Sequence, residues 1–344
     1  MSAGPSSARA TTTALVVGPA GHGVTGTALA QAAALRALAP GTVRVLHLDR
    51  TPSAGELLAA VRAAPPGPLL VHVTDRLFGS TPAEAADAVV ALARQRPLVL
   101  TLHDVPQDSD GPRNAVRRAA AYRRMAEAAA AVVVASAHEA RLLAACGADV
   151  DVTVVPLPVP DLRSGPAAEP SIPPACVAVL GYVYPGKGHE DVLAALDVLP
   201  DGIGLNAWGR PSAGHEDLVD TLTAQAGSLG RPCTVSGWIP DERLPGLLRS
   251  AVLPVAPHAH LSASGSINAW IGAGRRPLVP RSDYVAELVE RSPGCVQVYD
   301  DLRTALARAW ADPASTWLPG GCPVSPTVAD TAALLVPVLA RAGA

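Results

Sequence analysis

The lone lysine of this chain is the first residue whose type and setting suggest chemistry. Lys and Arg together number 27, and Lys187 is the only lysine among them. It lies in Pro185-Gly186-Lys187-Gly188, downstream of the apolar run Val177–Leu180. A glycine-rich loop between a strand and a helix lets backbone approach a phosphate, and a lysine supplies a compact point charge on a long stem. An arginine fork needs a differently shaped pocket. The spacing is not that of a Walker loop. A second anion-binding pattern is Pro254–Trp270, where an apolar strand runs into Ser262, Ser264, Gly265, Ser266 and Asn268. Free helix amides and hydroxyls at such a junction suit a diphosphate. His258 and His260 alternate there, but no third ligand is near enough in sequence to suggest a metal site. Trp270 reads as core.

The first half offers a second group of residues. Gly18–Gly26 is a glycine-rich turn opening a helix, with His22 beside Gly23 in position to meet a ligand. Thr101-Leu102-His103-Asp104 ends a strand with an imidazole and a carboxylate. A neutral imidazole can hydrogen-bond sugar hydroxyls, and a carboxylate can bind a polar substrate. His72 and Asp75 repeat the idea more weakly after the preceding strand.

Positioning these groups requires a sheet with covered faces. Strands are predicted at 14–18, 43–48, 69–73, 98–102, 132–136 and 152–155, and again at 177–180, 205–208, 234–236, 252–256, 277–279 and 295–298. Helices are predicted at 27–38, 83–94, 113–129, 138–145, 190–196, 216–226, 241–249, 266–273, 284–289 and 302–311. Unbroken apolar strands alternating with helices imply an α/β protein of two doubly wound parallel-sheet domains. Pro156–Pro174 carries seven prolines and has linker composition. The expected layout is a first domain over 1–160, a hinge over 161–174 and a second domain over 175–324. A final helix over 325–344 would return to the first domain. Open sheets bind ligands at the carboxyl ends of their strands, so a cleft between the two domains is expected.

Composition narrows the class. With 344 residues and 49% hydrophobic content the chain can bury two cores, and 17% charged residues is too few for a disordered protein. A formal net charge of −3 argues against nucleic-acid binding by bulk electrostatics. No apolar run is long enough to span a membrane or form a secretory leader, which leaves only peripheral membrane contact open. Five scattered cysteines without a Cys-x-x-Cys pair suggest reduced thiols and a cytoplasmic setting. Abundant Arg, Ala, Pro and Gly suggest a GC-rich bacterial coding sequence. The oligomeric state is not legible.

In this order the motifs resemble a retaining glycosyltransferase of the GT-B fold, family 4 type, over nearly the whole length. The matching segments are Gly21–Gly26, Leu100–Asp104, Val132–Ser136 with His138-Glu139, Val152–Pro158, Leu180–Gly188, Asn206–Arg210, Ser236–Leu247 and Ser325–Leu335. The resemblance implies two Rossmann-like domains, a nucleoside-diphosphate-sugar donor on the second and a sugar, small-molecule or lipid-linked acceptor on the first. Lys187 would hold the diphosphate and His103 would contact the transferred sugar. His22, Asp75 and Asp104 are the acceptor candidates. Gly23, Arg210, Ser262, Ser264, Gly265, Ser266 and Asn268 join Lys187 on the donor side. No cofactor or metal is implied. A specialised carbohydrate or natural-product pathway is the expected setting.

Two departures stand out. The family carries two glutamates eight residues apart, where this chain has Leu261 and Ala269, and its loop arginine is Tyr182 here. The serines and Asn268 would take over by hydroxyl and amide contacts, with Arg210, Arg275 or Arg276 restoring positive charge. The missing glutamates keep a catalytically silent donor-binding subunit as the main alternative, and a nucleotide-sugar epimerase as a weaker one.

Overall fold

The computed structural model describes residues 11–163, 176–258, 260–320, 322 and 324–343. The proposed hinge beyond residue 163 lies outside the described residues. Contacts divide the chain into two compact units, one running to Pro158 and resuming at Pro326, the other covering Val159–Ser325. The first unit thus ends two residues before the boundary expected from sequence. The reason is local: Val159 is buried among Ile267, Ile271 and Val285 of the second unit. The carbonyl of Pro160 lies so close to Gly272 that a Cβ there would meet it at 2.1 Å.

The first unit holds β1 (Thr12–Val17), β2 (Val43–Leu48), β3 (Leu69–Val73), β4 (Leu98–Leu102), β5 (Ala131–Val134) and β6 (Val152–Val154) in one sheet, in the order β2-β1-β3-β4-β5-β6. All neighbours are parallel. β1, β3 and β4 are buried on both faces, which is why they read as mainly apolar runs. One face packs Leu15, Val17, Val71 and Leu100 under the helices Pro82–Ala93 and Pro112–Ala128, burying Val89, Leu92, Tyr122 and Met125. The other packs Ala14, Leu70, Val99 and Val133 against Ala32 and Leu35 of helix Gly23–Leu38 and Ala332, Leu335 and Val338 of helix Val328–Ala342. Gln31 Nε2 donates to Thr331 Oγ1 at 3.2 Å, tying those two helices together.

The second unit repeats the plan. β7 (Cys176–Leu180), β8 (Gly204–Trp208), β9 (Cys233–Val235), β10 (Leu253–Val255), β11 (Leu278–Pro280) and β12 (Gln297–Tyr299) form a sheet in the order β12-β11-β10-β7-β8-β9, all parallel. Trp208 and Trp270 meet at 5.7 Å between ring centroids inside one of its cores.

Two of the departures from the expected helices have a clear local cause. The first helix begins at Gly23 rather than residue 27, because His22 caps it, its Nδ1 accepting from Val24 N at 3.3 Å. Helix Ala54–Ala63, absent from the expected set, starts at a capping box formed by Ser53 and Glu56.

Candidate functional site

In the second unit, the chain leaves β7 through Gly181, at φ +112°. A Cβ on Gly181 would stand 3.3 Å from Lys187 Nζ, so the bare backbone gives the ammonium its room. Gly209 after β8 is equally constrained, since a Cβ there would meet the Gly181 carbonyl at 2.0 Å. Lys187 is buried at 4% exposure. Its Nζ lies 3.4 Å from Ser266 Oγ and 3.4 Å from His258 Nε2, and 5.9 Å from the centre of the Tyr184 ring. Among the described residues no carboxylate forms a salt bridge with it. Burial therefore pushes its pKa down to about 7.

Around that ammonium sits the start of helix Gly265–Gly272. Ser264 is its N-cap, with Oγ accepting from Ile267 N at 3.3 Å. The same oxygen lies 3.1 Å from Ser266 Oγ and 3.3 Å from His258 Nε2. Gly265 is exposed, whereas Ser262 and Asn268 are buried. His258 and His189 are both held neutral by burial, reinforced by the nearby Lys187 charge, with the His189 pKa lowered to about 4. The cluster is therefore a desolvated cation with neutral hydrogen-bonding neighbours and a helix start, an arrangement that can hold an anion. His260 is exposed while His258 is buried, so the two do not act as a pair.

Arg210 is exposed just past β8 and lies between two aromatic rings, 5.5 Å from the centre of Tyr182 and 5.7 Å from Trp238. Its Nη2 also donates to Tyr182 Oη at 3.3 Å. Arg275 corrects the sequence expectation. It is fully buried, donating to the carbonyls of Leu248, Arg249, Ala251, Val252 and Thr316, and its charge organises backbone rather than meeting a ligand. Arg276 likewise donates to the Ser315 carbonyl at 3.2 Å. Leu261 and Ala269 are buried in apolar clusters, so the positions of the family glutamates have become core.

The first unit carries the other group. His103 follows β4, buried at 7% exposure, and its pKa is lowered to about 4 by burial and by His22. Its carbonyl accepts from Tyr122 Oη at 2.8 Å. Asp104 holds φ +54°, the one positive φ of a non-glycine among the described residues. Arg118 maintains that turn: Nη2 donates to the Asp104 carbonyl at 2.7 Å and pairs with its carboxylate at 2.8 Å. The same guanidinium reaches Asp75 at 3.1 Å and Asp110 at 2.6 Å. Burial opposes the Arg118 charge, but Asp104, Tyr122, Asp75 and Asp110 outweigh it and raise its pKa above the ordinary value.

Asp75, expected from sequence as an acceptor contact, has a buried carboxylate that pairs with Arg118 and accepts from Arg76 N at 3.1 Å. Asp104 keeps an exposed carboxylate beside His103. His22 is occupied at Nδ1 as a helix cap, and Gly23 is the first, exposed residue of that helix. Arg118 and Tyr122 were not singled out from the sequence. Their signal is an arginine on the buried stripe formed by Arg118, Ala121, Tyr122 and Met125.

Comparison with known proteins agrees with this architecture. Residues 18–161 match the profile described as Glycosyltransferase Family 4. A search of curated protein sequences finds no match for the chain. Among solved structures, Anabaena HepE in complex with UDP and glucose superposes with a TM-score of 0.67 at 17% identity, covering 97% of this chain and 95% of that one. Sucrose-phosphate synthase from Thermosynechococcus elongatus superposes with a TM-score of 0.69 at 18% identity, covering 96% of each chain. AviGT4, a glycosyltransferase of avilamycin A biosynthesis, gives 0.56 at 18% identity, covering 96% and 95%. The two parallel sheets and these likenesses define the fold: the chain has the GT-B architecture of these structures. Within that fold, residues 18–161 are the part that resembles Glycosyltransferase Family 4.

Among the described residues no helix is long and apolar enough to cross a membrane.

Proposed function

We propose that this protein transfers a sugar from a nucleoside-diphosphate sugar to a sugar or small-molecule acceptor, with retention at the anomeric carbon. The observation that carries the donor half is Lys187, a buried cation with no carboxylate partner among the described residues, set against Ser264, Ser266 and the start of helix Gly265–Gly272. The Gly265 and Ser266 amides of that first turn lack intrahelical acceptors by construction, Ile267 N being taken by the Ser264 cap, and the helix dipole places partial positive charge there. As the glycosidic bond to the diphosphate breaks, negative charge develops on the leaving oxygen. Lys187 and these amides are positioned to accept it without reorganisation. Arg210, fixed between Tyr182 and Trp238, supplies a second cation on the same unit.

The acceptor half falls to the first unit. His103, neutral at pH 7, hydrogen-bonds the transferred sugar, and the exposed Asp104 carboxylate receives acceptor hydroxyls. Retention is what the resemblance to the retaining family 4 type implies, a resemblance the match over residues 18–161 supports. The complex of HepE with UDP and glucose makes UDP-glucose the first donor to test.

The experiment is a panel of nucleoside-diphosphate sugars, each scored by thermal shift and by nucleoside-diphosphate release with and without simple sugar acceptors. Binding by mass action raises the melting temperature. The expected result is stabilisation by at least one nucleotide sugar and release that accelerates with an acceptor, the anomeric configuration of the product then being read by NMR. Stabilisation with no release under any acceptor would overturn the transfer reading, and an inverted product would overturn retention.

A further inference from the structure

The first unit holds a buried imidazole pair of which only one member has been given a task. His72 lies on β3, with its backbone in register with Thr101 of β4, and His103 follows two residues later on the same face. Their rings stack with centroids 5.2 Å apart and planes 24° from parallel, and His72 Nδ1 stands 3.0 Å from His103 Nε2. Both residues are buried, at 4% and 7% exposure. Two imidazole nitrogens at that separation share one proton, because two lone pairs or two N–H groups would repel.

We infer that His72 is the positioning residue for His103, donating its Nδ1–H to His103 Nε2 and so fixing the tautomer in which His103 presents Nδ1–H to its ligand. The direction follows from the far side of His72. His72 Nε2 is buried and has no hydrogen-bond partner among the described residues. If His72 donates, that buried atom is a bare lone pair. If it accepts, the buried atom is an N–H cut off from every acceptor, the rarer and costlier arrangement. Both rings stay neutral at pH 7, His72 through burial and the adjacent His103, and His103 through burial and His22. The pair is therefore stable as one donor and one acceptor.

The consequence is chemical. With Nε2 occupied, His103 cannot take a proton there and acts as a hydrogen-bond donor through Nδ1. The ligand atom it meets is an acceptor oxygen, such as a sugar hydroxyl or ring oxygen. Only this last step rests on the reading of His103 as a sugar contact; the tautomer does not.

The test uses the full chain labelled with ¹⁵N-histidine, and long-range ¹H–¹⁵N correlation spectra assigned with a His103→Gln variant. The expected spectrum shows His103 protonated at Nδ1 and bare at Nε2, with His72 protonated at Nδ1. His72→Asn keeps a donor near the position of Nδ1 and should retain the His103 tautomer, whereas His72→Leu should release it into exchange between tautomers. With UDP-glucose as donor probe, His72→Leu should lower kcat about tenfold to a hundredfold at nearly unchanged KM, and His72→Asn should recover most of it. A wild-type His103 protonated at Nε2 overturns the inference, whether or not either variant folds. So does a His72→Leu protein with unaltered His103 signals, or one with unaltered turnover. Absence of UDP-glucose turnover in the wild type counts against that donor alone, and the spectra still decide the tautomer.

Discussion

Replacing Lys187 by Met exposes the energetic tension in the proposed donor site. An ordinary lysine titrates near 10.5, and burial lowers Lys187 to about 7. At about 1.4 kcal/mol per pH unit, that difference corresponds to roughly 5 kcal/mol of unfavourable charge burial in the ligand-free protein, as an order of magnitude. The sign follows from proton counts. Between pH 7 and 10.5 the unfolded chain binds the lysine proton and the folded chain does not, so wild-type stability rises with pH across that window. Below pH 7 both states hold the proton and the full cost is present. Lys187→Met should therefore be more stable than wild type at pH 6, with an advantage that shrinks as pH rises toward 10. Urea unfolding of both proteins at several pH values measures this directly. The same substitution should weaken UDP-glucose binding about tenfold to a hundredfold, the expected loss of a charge-assisted hydrogen bond. In the wild type, binding should take up a proton near pH 7, because the diphosphate restores the ammonium. Calorimetry in buffers of different ionisation enthalpy detects that uptake. A Met variant less stable than wild type at every pH, or donor binding without proton uptake at pH 7, would refute the picture of a buried cation awaiting an anion.

Three further perturbations probe the supports. Arg118→Ala leaves the Asp75 carboxylate buried without its partner and should destabilise the protein by about 3–5 kcal/mol in urea unfolding; the Asp104 turn should also become protease-sensitive. Ser264→Ala removes an N-cap and should cost about 1 kcal/mol of stability. Because the same hydroxyl touches His258 and Ser266, donor affinity should fall with it by isothermal titration. Gly181→Ala forces a side chain onto φ +112° and toward the Lys187 ammonium, costing about 1–3 kcal/mol; UDP-glucose binding should weaken while far-ultraviolet circular dichroism stays that of wild type.

The frame of this protein is legible in its sequence for a simple reason. A strand covered on both faces is predominantly apolar, and β3 and β4 are, each carrying a single polar residue, His72 and Thr101. Each such run therefore announces itself without knowledge of its neighbours. The glycines around Lys187 were equally legible, because only backbone lacking a Cβ admits an ammonium past Gly181. What local pattern could not show is which polar groups meet. Asp75 and Arg118 are 43 residues apart and His72 and His103 are 31 apart, and each pair forms only because strand register and helix packing bring the partners together. Arg275 read from sequence as a charge available to a donor, and its carbonyl cage comes from segments 23 to 41 residues away.

The sequence by itself thus determined two α/β units, their strands and the glycine-flanked setting of Lys187. Burial pattern and glycine conformation are properties of a residue and its immediate neighbours. The tertiary structure alone decided that Asp75 and Arg275 are internal, that Arg118 holds the His103–Asp104 turn, and that His103 is paired with His72. Charge, protonation and hydrogen-bond partnership depend on solvent exclusion and on groups distant in the chain, and those exist only once the sheets have closed over their helices.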